Sequence, residues 1–180
     1  METLTAQDVI EQLRTWLVQS HNENISEQKF ARKSLSQTEA SEAAKLLFSH
    51  RQQLIREQYG SQWQEKQLTE GKYVMKFDYR VYGDKPADGR SLYISMHGGG
   101  NTSDAVNDRQ WSNQMRLYEP KEGVYIAPRT AVNDWNMWFQ SHVDTLFDRL
   151  IQLAVIFMDV NPDKVYLMGY SAGGDGAYRM

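Results

Sequence analysis

Near its end the chain reads Val165-Tyr166-Leu167-Met168, followed by Gly169-Tyr170-Ser171-Ala172-Gly173-Gly174. The apolar β-formers predict a short buried strand, and the glycine-flanked serine predicts an abrupt turn into a helix, the G-x-S-x-G elbow. A serine on such a turn needs small residues two positions to either side, because larger ones would collide with the adjoining strand and helix. Gly169 and Gly173 meet that need. The helix that starts there aims free N–H groups and its positive dipole end at the place where an oxyanion would form, which makes Ser171 a candidate nucleophile. A second glycine cluster, His97-Gly98-Gly99-Gly100, runs directly out of a predicted strand, Ser91 to Met96. No Gly-Lys-Ser/Thr follows either cluster, and Gly174-Asp175-Gly176 is too weak a remnant for a dinucleotide site.

The elements that must position these groups are legible in the period of the apolar residues. Val124 to Ala127 predicts another short strand, ended by Pro128, and a helix is predicted from about Asp104 to Tyr118. Val143, Leu146, Phe147, Leu150, Ile151, Ala154, Val155 and Met158 give the cleanest helical stripe, with Ser141 as its N-cap and Asn161-Pro162 as its stop. From Ser91 onward the order is strand, helix, strand, helix, strand, elbow, which predicts a parallel sheet with the site at the strand C-termini. Before it, Lys72 to Tyr82 alternates as a half-wet strand, with a partner strand around Glu65 to Glu70.

Residues 1–62 read as a helical N-terminal extension and 63–180 as the main domain. Val9, Ile10, Leu13, Trp16 and Leu17 mark an amphipathic helix from Thr5 to about Gln19. A polar interval around Asn22 to Ser26 leads to a segment containing Phe30. Ser36 and Glu39 then form a capping box for a long helix through about Tyr59, stopped by Gly60. The favoured reading is an extension packed on the main domain; the alternative is a separate partner-binding module.

Composition removes several classes of function. The 180 residues, 41% hydrophobic and 12% aromatic, suffice for a globular core. A formal net charge of −3 from 20 basic and 23 acidic residues leaves no electrostatic footprint for nucleic acid or an anionic membrane surface. With no cysteine, disulfides, thiolate metal sites and a Cys nucleophile are excluded. No His/Asp cluster has metal spacing, so neither metal nor cofactor is expected. The N-terminus lacks a secretory signal and no apolar run approaches membrane-spanning length, so an intracellular, cytoplasmic protein is expected.

A His-Gly-Gly-Gly loop after one strand and a Gly-Tyr-Ser-Ala-Gly elbow two strands later resembles the α/β-hydrolase superfamily. Within it, Trp135-Asn136-Met137-Trp138-Phe139 and the run Val160-Asn161-Pro162-Asp163-Lys164-Val165-Tyr166 into the elbow look like the polyhydroxybutyrate-depolymerase and feruloyl-esterase-like serine esterases. The resemblance covers about Lys72 to Met180. It implies an α/β-hydrolase-type, mostly parallel sheet flanked by helices, with Ser171 as nucleophile. One oxyanion donor would be the backbone N–H of Ala172 and the other that of Gly98 or Gly99. It also implies a small-molecule ester as substrate. Tyr170, Trp135 and Trp138 either line an acyl or aromatic-ester pocket or serve as packing residues.

In that family the acid and the histidine of the triad follow the serine. Only nine residues follow Ser171, and none is histidine. The chain therefore reads as the N-terminal part of a hydrolase, truncated after the elbow, with negligible esterase activity expected alone. Asp175 reads as a capping or solvent-facing residue of the elbow helix. His97 reads as a brace of the oxyanion loop, His142 lies at a helix start, and His21 and His50 belong to the extension. The strand Val165 to Met168 is expected to be an apolar edge, open to a separately supplied C-terminal half or to self-association. The other function compatible with these residues is a catalytically dead hydrolase-fold protein that binds a ligand or partner.

Overall fold

The computed structural model describes residues 6–19 and 24–180; Thr5, His21 and Asn22 lie outside the described residues. The chain divides into two compact units, Met1–Gln58 and Tyr59–Met180.

In the first unit, helix α1 (Ala6–Gln19) turns Val9, Leu13 and Leu17 to one side. There they bury with Phe30 from a 3₁₀ turn, and Trp16, Ile25, Leu35, Ala43 and Leu46 pack around them. Helix α2 (Gln37–Gln64) opens on the reciprocal capping box read from Ser36 and Glu39. The Ser36 N–H donates to Glu39 Oε2 at 2.6 Å, and the Glu39 N–H donates to Ser36 Oγ at 3.4 Å. Gly60 does not stop this helix, contrary to the expectation. Nothing crowds it, and α2 continues to Gln64 before Lys66 adopts a positive φ of 54°.

That last turn of α2 is part of the second unit. Trp63 stacks on Tyr79 and Phe157 and tilts against Phe77, with ring centroids 5.2–5.5 Å apart. Burying an aromatic of this size outweighs the roughly 1 kcal/mol that Gly60 costs a helix.

The second unit holds a five-stranded sheet in the order β1-β2-β4-β3-β5. Its strands are β1 (Gln67–Glu70), β2 (Tyr73–Tyr82), β3 (Arg90–Met96), β4 (Gly123–Arg129) and β5 (Val160–Gly169). Helices α3 (Asp104–Gln114) and α4 (Ser141–Met158) connect β3, β4 and β5, and α5 (Ala172–Arg179) follows β5. The sheet is mixed rather than mostly parallel: β4, β3 and β5 run parallel, while β1–β2 and β2–β4 are antiparallel. The two-residue Gly71-Lys72 hairpin imposes the first of these antiparallel pairings, since so short a link admits only antiparallel neighbours. Helices cover both faces. Phe77 and Tyr79 of β2 meet Phe157 of α4 through Trp63, while Asp78 and Arg80 turn toward Trp111 and Ser112 of α3.

Four boundaries differ from the sequence reading. Pro128 lies inside β4, whose every residue is buried. It opposes Phe77, whose N–H donates instead to Lys66 O, and it lies beyond the last β3–β4 rung, Ile94–Ile126, so neither neighbour asks it for an N–H. Helix α3 ends at Gln114 rather than Tyr118, in tight turns from Arg116 N–H to Asn113 O and from Leu117 N–H to Gln114 O. The N-cap of α4 is Gln140, not Ser141, and its side chain binds Asp134 and Asn136 instead of capping. Asp159, with φ 54° and ψ 39°, ends α4, and β5 begins at once with Val160. Asn161-Pro162 falls in an irregular stretch of β5, between the Arg90–Val160 and Leu92–Val165 rungs.

No helix among the described residues is long and apolar enough to cross a membrane.

Candidate active site

β3 and β5 are adjacent parallel strands, and their last paired residues are Met96 and Gly169. Counting two residues on from that rung brings Gly98 and Ser171 level. The Tyr170 N–H carries the ladder one step further by donating to Met96 O at 3.2 Å. A methyl group built on Gly98 would lie 3.1 Å from Ser171 Cβ and 3.0 Å from Tyr170 O, so the two glycine motifs are in contact.

Ser171 has φ 54° and ψ −122°, a conformation L-residues rarely adopt. The flanking glycines make that turn sterically possible. A Cβ on Gly169 would overlap the carbonyl of Gly173, and one on Gly173 would overlap the carbonyl of Met96. A helix leaves its first four N–H groups without intrahelical partners. In α5, Gly173 donates to Tyr170 O and Gly174 to Ser171 O, at 2.8–2.9 Å, and Asp175 makes the first regular helical bond, to Ser171 O at 3.1 Å. The Ala172 N–H has no acceptor among the described residues, and it belongs to the residue directly after the serine.

His97 is wholly buried. Its Nδ1 lies 2.6 Å from Gly98 O, and its Nε2 accepts from the Thr130 N–H at 3.4 Å. A carbonyl on one side and an N–H on the other fix the neutral tautomer with its proton on Nδ1. Burial pushes the imidazole down to about 4, outweighing the Gly98 hydrogen bond that raises it. With Gly98 O held toward His97, the trans peptide turns the Gly99 N–H the opposite way. Gly99, at φ 110°, and Gly100, at φ 89°, occupy backbone conformations suited to glycine, and the Gly100 N–H donates to Asn107 Oδ1 at 3.0 Å. The N–H groups of Gly98 and Gly99 have no protein acceptor among the described residues.

The support beneath this loop escaped the sequence reading. Arg129, at the end of β4, donates from Nε to Asp108 at 2.9 Å, from Nη1 to Thr130 O at 2.9 Å and from Nη2 to Asn133 Oδ1 at 2.6 Å. Asn133 Oδ1 also accepts from Asn107 Nδ2 at 2.8 Å, and its carbonyl accepts from the Asn101 N–H. Arg129 therefore reaches both ends of the glycine loop, through Thr130 to His97 and through Asn133 and Asn107 to Gly100. One signal was available: an arginine closing an otherwise apolar strand must bring its own polar partners if it is buried.

The aromatic candidates separate. Tyr170 is 63% exposed beside Ser171, and Trp135 is 74% exposed with its backbone against Gly100. Trp138 is 1% exposed and lies beneath the loop. Its indole N–H donates to His97 O at 3.0 Å, and its ring meets His97 and Phe147 edge-on.

Neither described histidine of this unit is positioned as a base for Ser171. Both nitrogens of His97 are engaged. His142 stacks on Tyr73 at 3.7 Å, and burial lowers its pKa. Tyr73 lies on β2, three strands from β5, on the order of 14 Å at the usual strand spacing. His50 belongs to the first unit. Asp175 is exposed in the first turn of α5. Among the described residues no group of His, Asp or Glu is placed to hold a metal ion.

The chain matches no known protein family, no curated protein and no solved structure.

Proposed function

We propose that this chain carries the nucleophile and oxyanion half of a serine hydrolase of the α/β-hydrolase type, acting on a carboxylic ester. One observation carries the reading: the strained Ser171 stands between the unpaired N–H of Ala172 and the glycine loop at Gly98. In the proposed reaction Ser171 Oγ attacks the ester carbonyl, and its proton passes to a base. The oxyanion is held by Ala172 N–H with Gly98 or Gly99 N–H, and collapse expels the alcohol to leave an acyl-serine that water then cleaves. The base and acid are supplied from outside this copy's described residues and dock along the outer edge of β5, carried either by a further segment of polypeptide or by a second copy.

The engagement of both His97 nitrogens favours one competing reading, a hydrolase-fold protein without catalysis that binds a ligand or partner through the same surface.

Intact mass spectrometry of protein from its native source, after exposure to a fluorophosphonate, separates the two. The hydrolase reading expects a single adduct on Ser171 that disappears in Ser171→Ala. An adduct that survives the substitution, or no adduct on native protein, would overturn it.

A further inference from the structure

On the sheet face opposite Trp63, the alternate residues Asp78 and Arg80 of β2 face the C-terminal end of α3, where Ser112 lies in the last turn of the helix and Arg116 in the tight turn just beyond it. Between them lies a cavity of about 400 Å³, walled also by Trp111 and Met115. That volume falls within the roughly 300–1,000 Å³ of small-molecule sites.

Its charges are unbalanced. The one carboxylate, Asp78, already accepts from Lys66 Nζ and from the Tyr79 N–H. Arg80 has no acidic partner among the described residues. Arg116, in the turn after α3, is held by the last turn of that helix, with Nε donating to Ser112 O and Nη2 to Ser112 Oγ, which leaves Nη1 without a protein acceptor among the described residues. A guanidinium already oriented loses little freedom when it closes on a planar oxyanion. Trp111 is fixed as well, its indole N–H donating to Ala127 O at 2.8 Å, and Met115 is buried beside it.

The second cavity along this face, about 410 Å³ near Lys76 and Asp108, does not share this imbalance. Its arginine, Arg129, is already bound to Asp108, Thr130 and Asn133.

We infer that the Arg80–Arg116 cleft binds a small organic anion, its carboxylate or phosphate between the two guanidiniums and its apolar body against Trp111 and Met115. The site is independent of Ser171 and of the hydrolase reading.

Benzoate and phenyl phosphate serve as probes for the two head groups, with benzamide as the neutral isostere, in an NMR titration of the full chain that follows the Trp111 indole N–H. Saturable shifts are expected with at least one anion, weakening as salt is raised, and none with benzamide. The anion that binds more tightly assigns the head group. Both arginines are exposed, so Arg80→Gln and Arg116→Gln leave the core untouched. Each should weaken binding about tenfold, and Arg→Lys less, because the charge stays but the fork is lost. The proposal fails if neither anion gives a saturable shift, if benzamide binds as well as benzoate, or if the double glutamine variant keeps wild-type affinity.

Discussion

Met96 and Gly169 form the last rung of the β3–β5 ladder, and Gly173 returns to the same point, where a side chain would overlap the Met96 carbonyl. Strand, elbow and helix thus share one point of contact with no room for a methyl group.

Gly173→Ala should destabilise the second unit by at least about 2–3 kcal/mol, since the obstruction is backbone rather than a side chain that can swing aside. Gly60→Ala, where nothing lies within reach of a new Cβ, should instead stabilise α2 by about 1 kcal/mol. Urea midpoints of the two variants should move in opposite directions. A Gly173→Ala midpoint equal to wild type would refute the packing account.

Ser171→Gly should raise stability by about 1 kcal/mol, because glycine tolerates φ 54° with ψ −122° more readily than serine does. The same substitution should remove fluorophosphonate labelling. Chemical denaturation and intact mass read the two effects separately.

The depressed pKa of His97 predicts an acid-side loss of stability. Its folded value of about 4 lies below the ordinary 6.5, so from about pH 6.5 down to about 4 the unfolded chain binds a proton that the fold refuses. The full difference is roughly 3 kcal/mol, of which about 2 has gone by pH 5. His142, also lowered by burial, adds loss of the same sign. The lowered carboxylates Glu39, Asp88 and Asp144 add theirs only as pH falls below their usual range. His97→Gln should be less stable at pH 7.5 but show a flatter profile down to pH 5. Parallel profiles would remove His97 as the titrating group.

Arg129→Met should cost roughly 2 kcal/mol or more by breaking charge-assisted hydrogen bonds inside the fold. The readout specific to a brace is amide exchange. Gly100, held by Asn107, should lose protection beyond the global change, while Ile126 within β4 should track global stability alone. Equal changes at both amides would make Arg129 a general stabiliser only.

The elbow, the capping box at Ser36 and the helical stripe of α4 were legible because each rests on local spacing. What sequence misjudged depended on neighbours. Pro128 reads as a breaker until Phe77 is seen to donate elsewhere, and Gly60 reads as a stop until Trp63 is seen stacked on the sheet. The antiparallel half of the sheet was hidden because alternation in β2 reveals a wet face but not its pairing partner. At the candidate site, the strand–turn–helix geometry around Ser171 and its glycines was legible from their spacing. Trp138 was ambiguous, since an indole beneath a loop and one at its mouth share the same spacing. The Arg129 brace joins residues from three separate segments, so no single motif contains it.

Among the described residues β5 occupies the end of the sheet and pairs only with β3, whose partner residues lie seventy or more positions earlier in the chain. Closing that loop is entropically costly and gives back little until α3, β4 and α4 have condensed between the two strands. The unusual backbone of Ser171 has no support before then. The left-handed turn at Ser171 is therefore expected to be set late in folding, after the strands on which it rests.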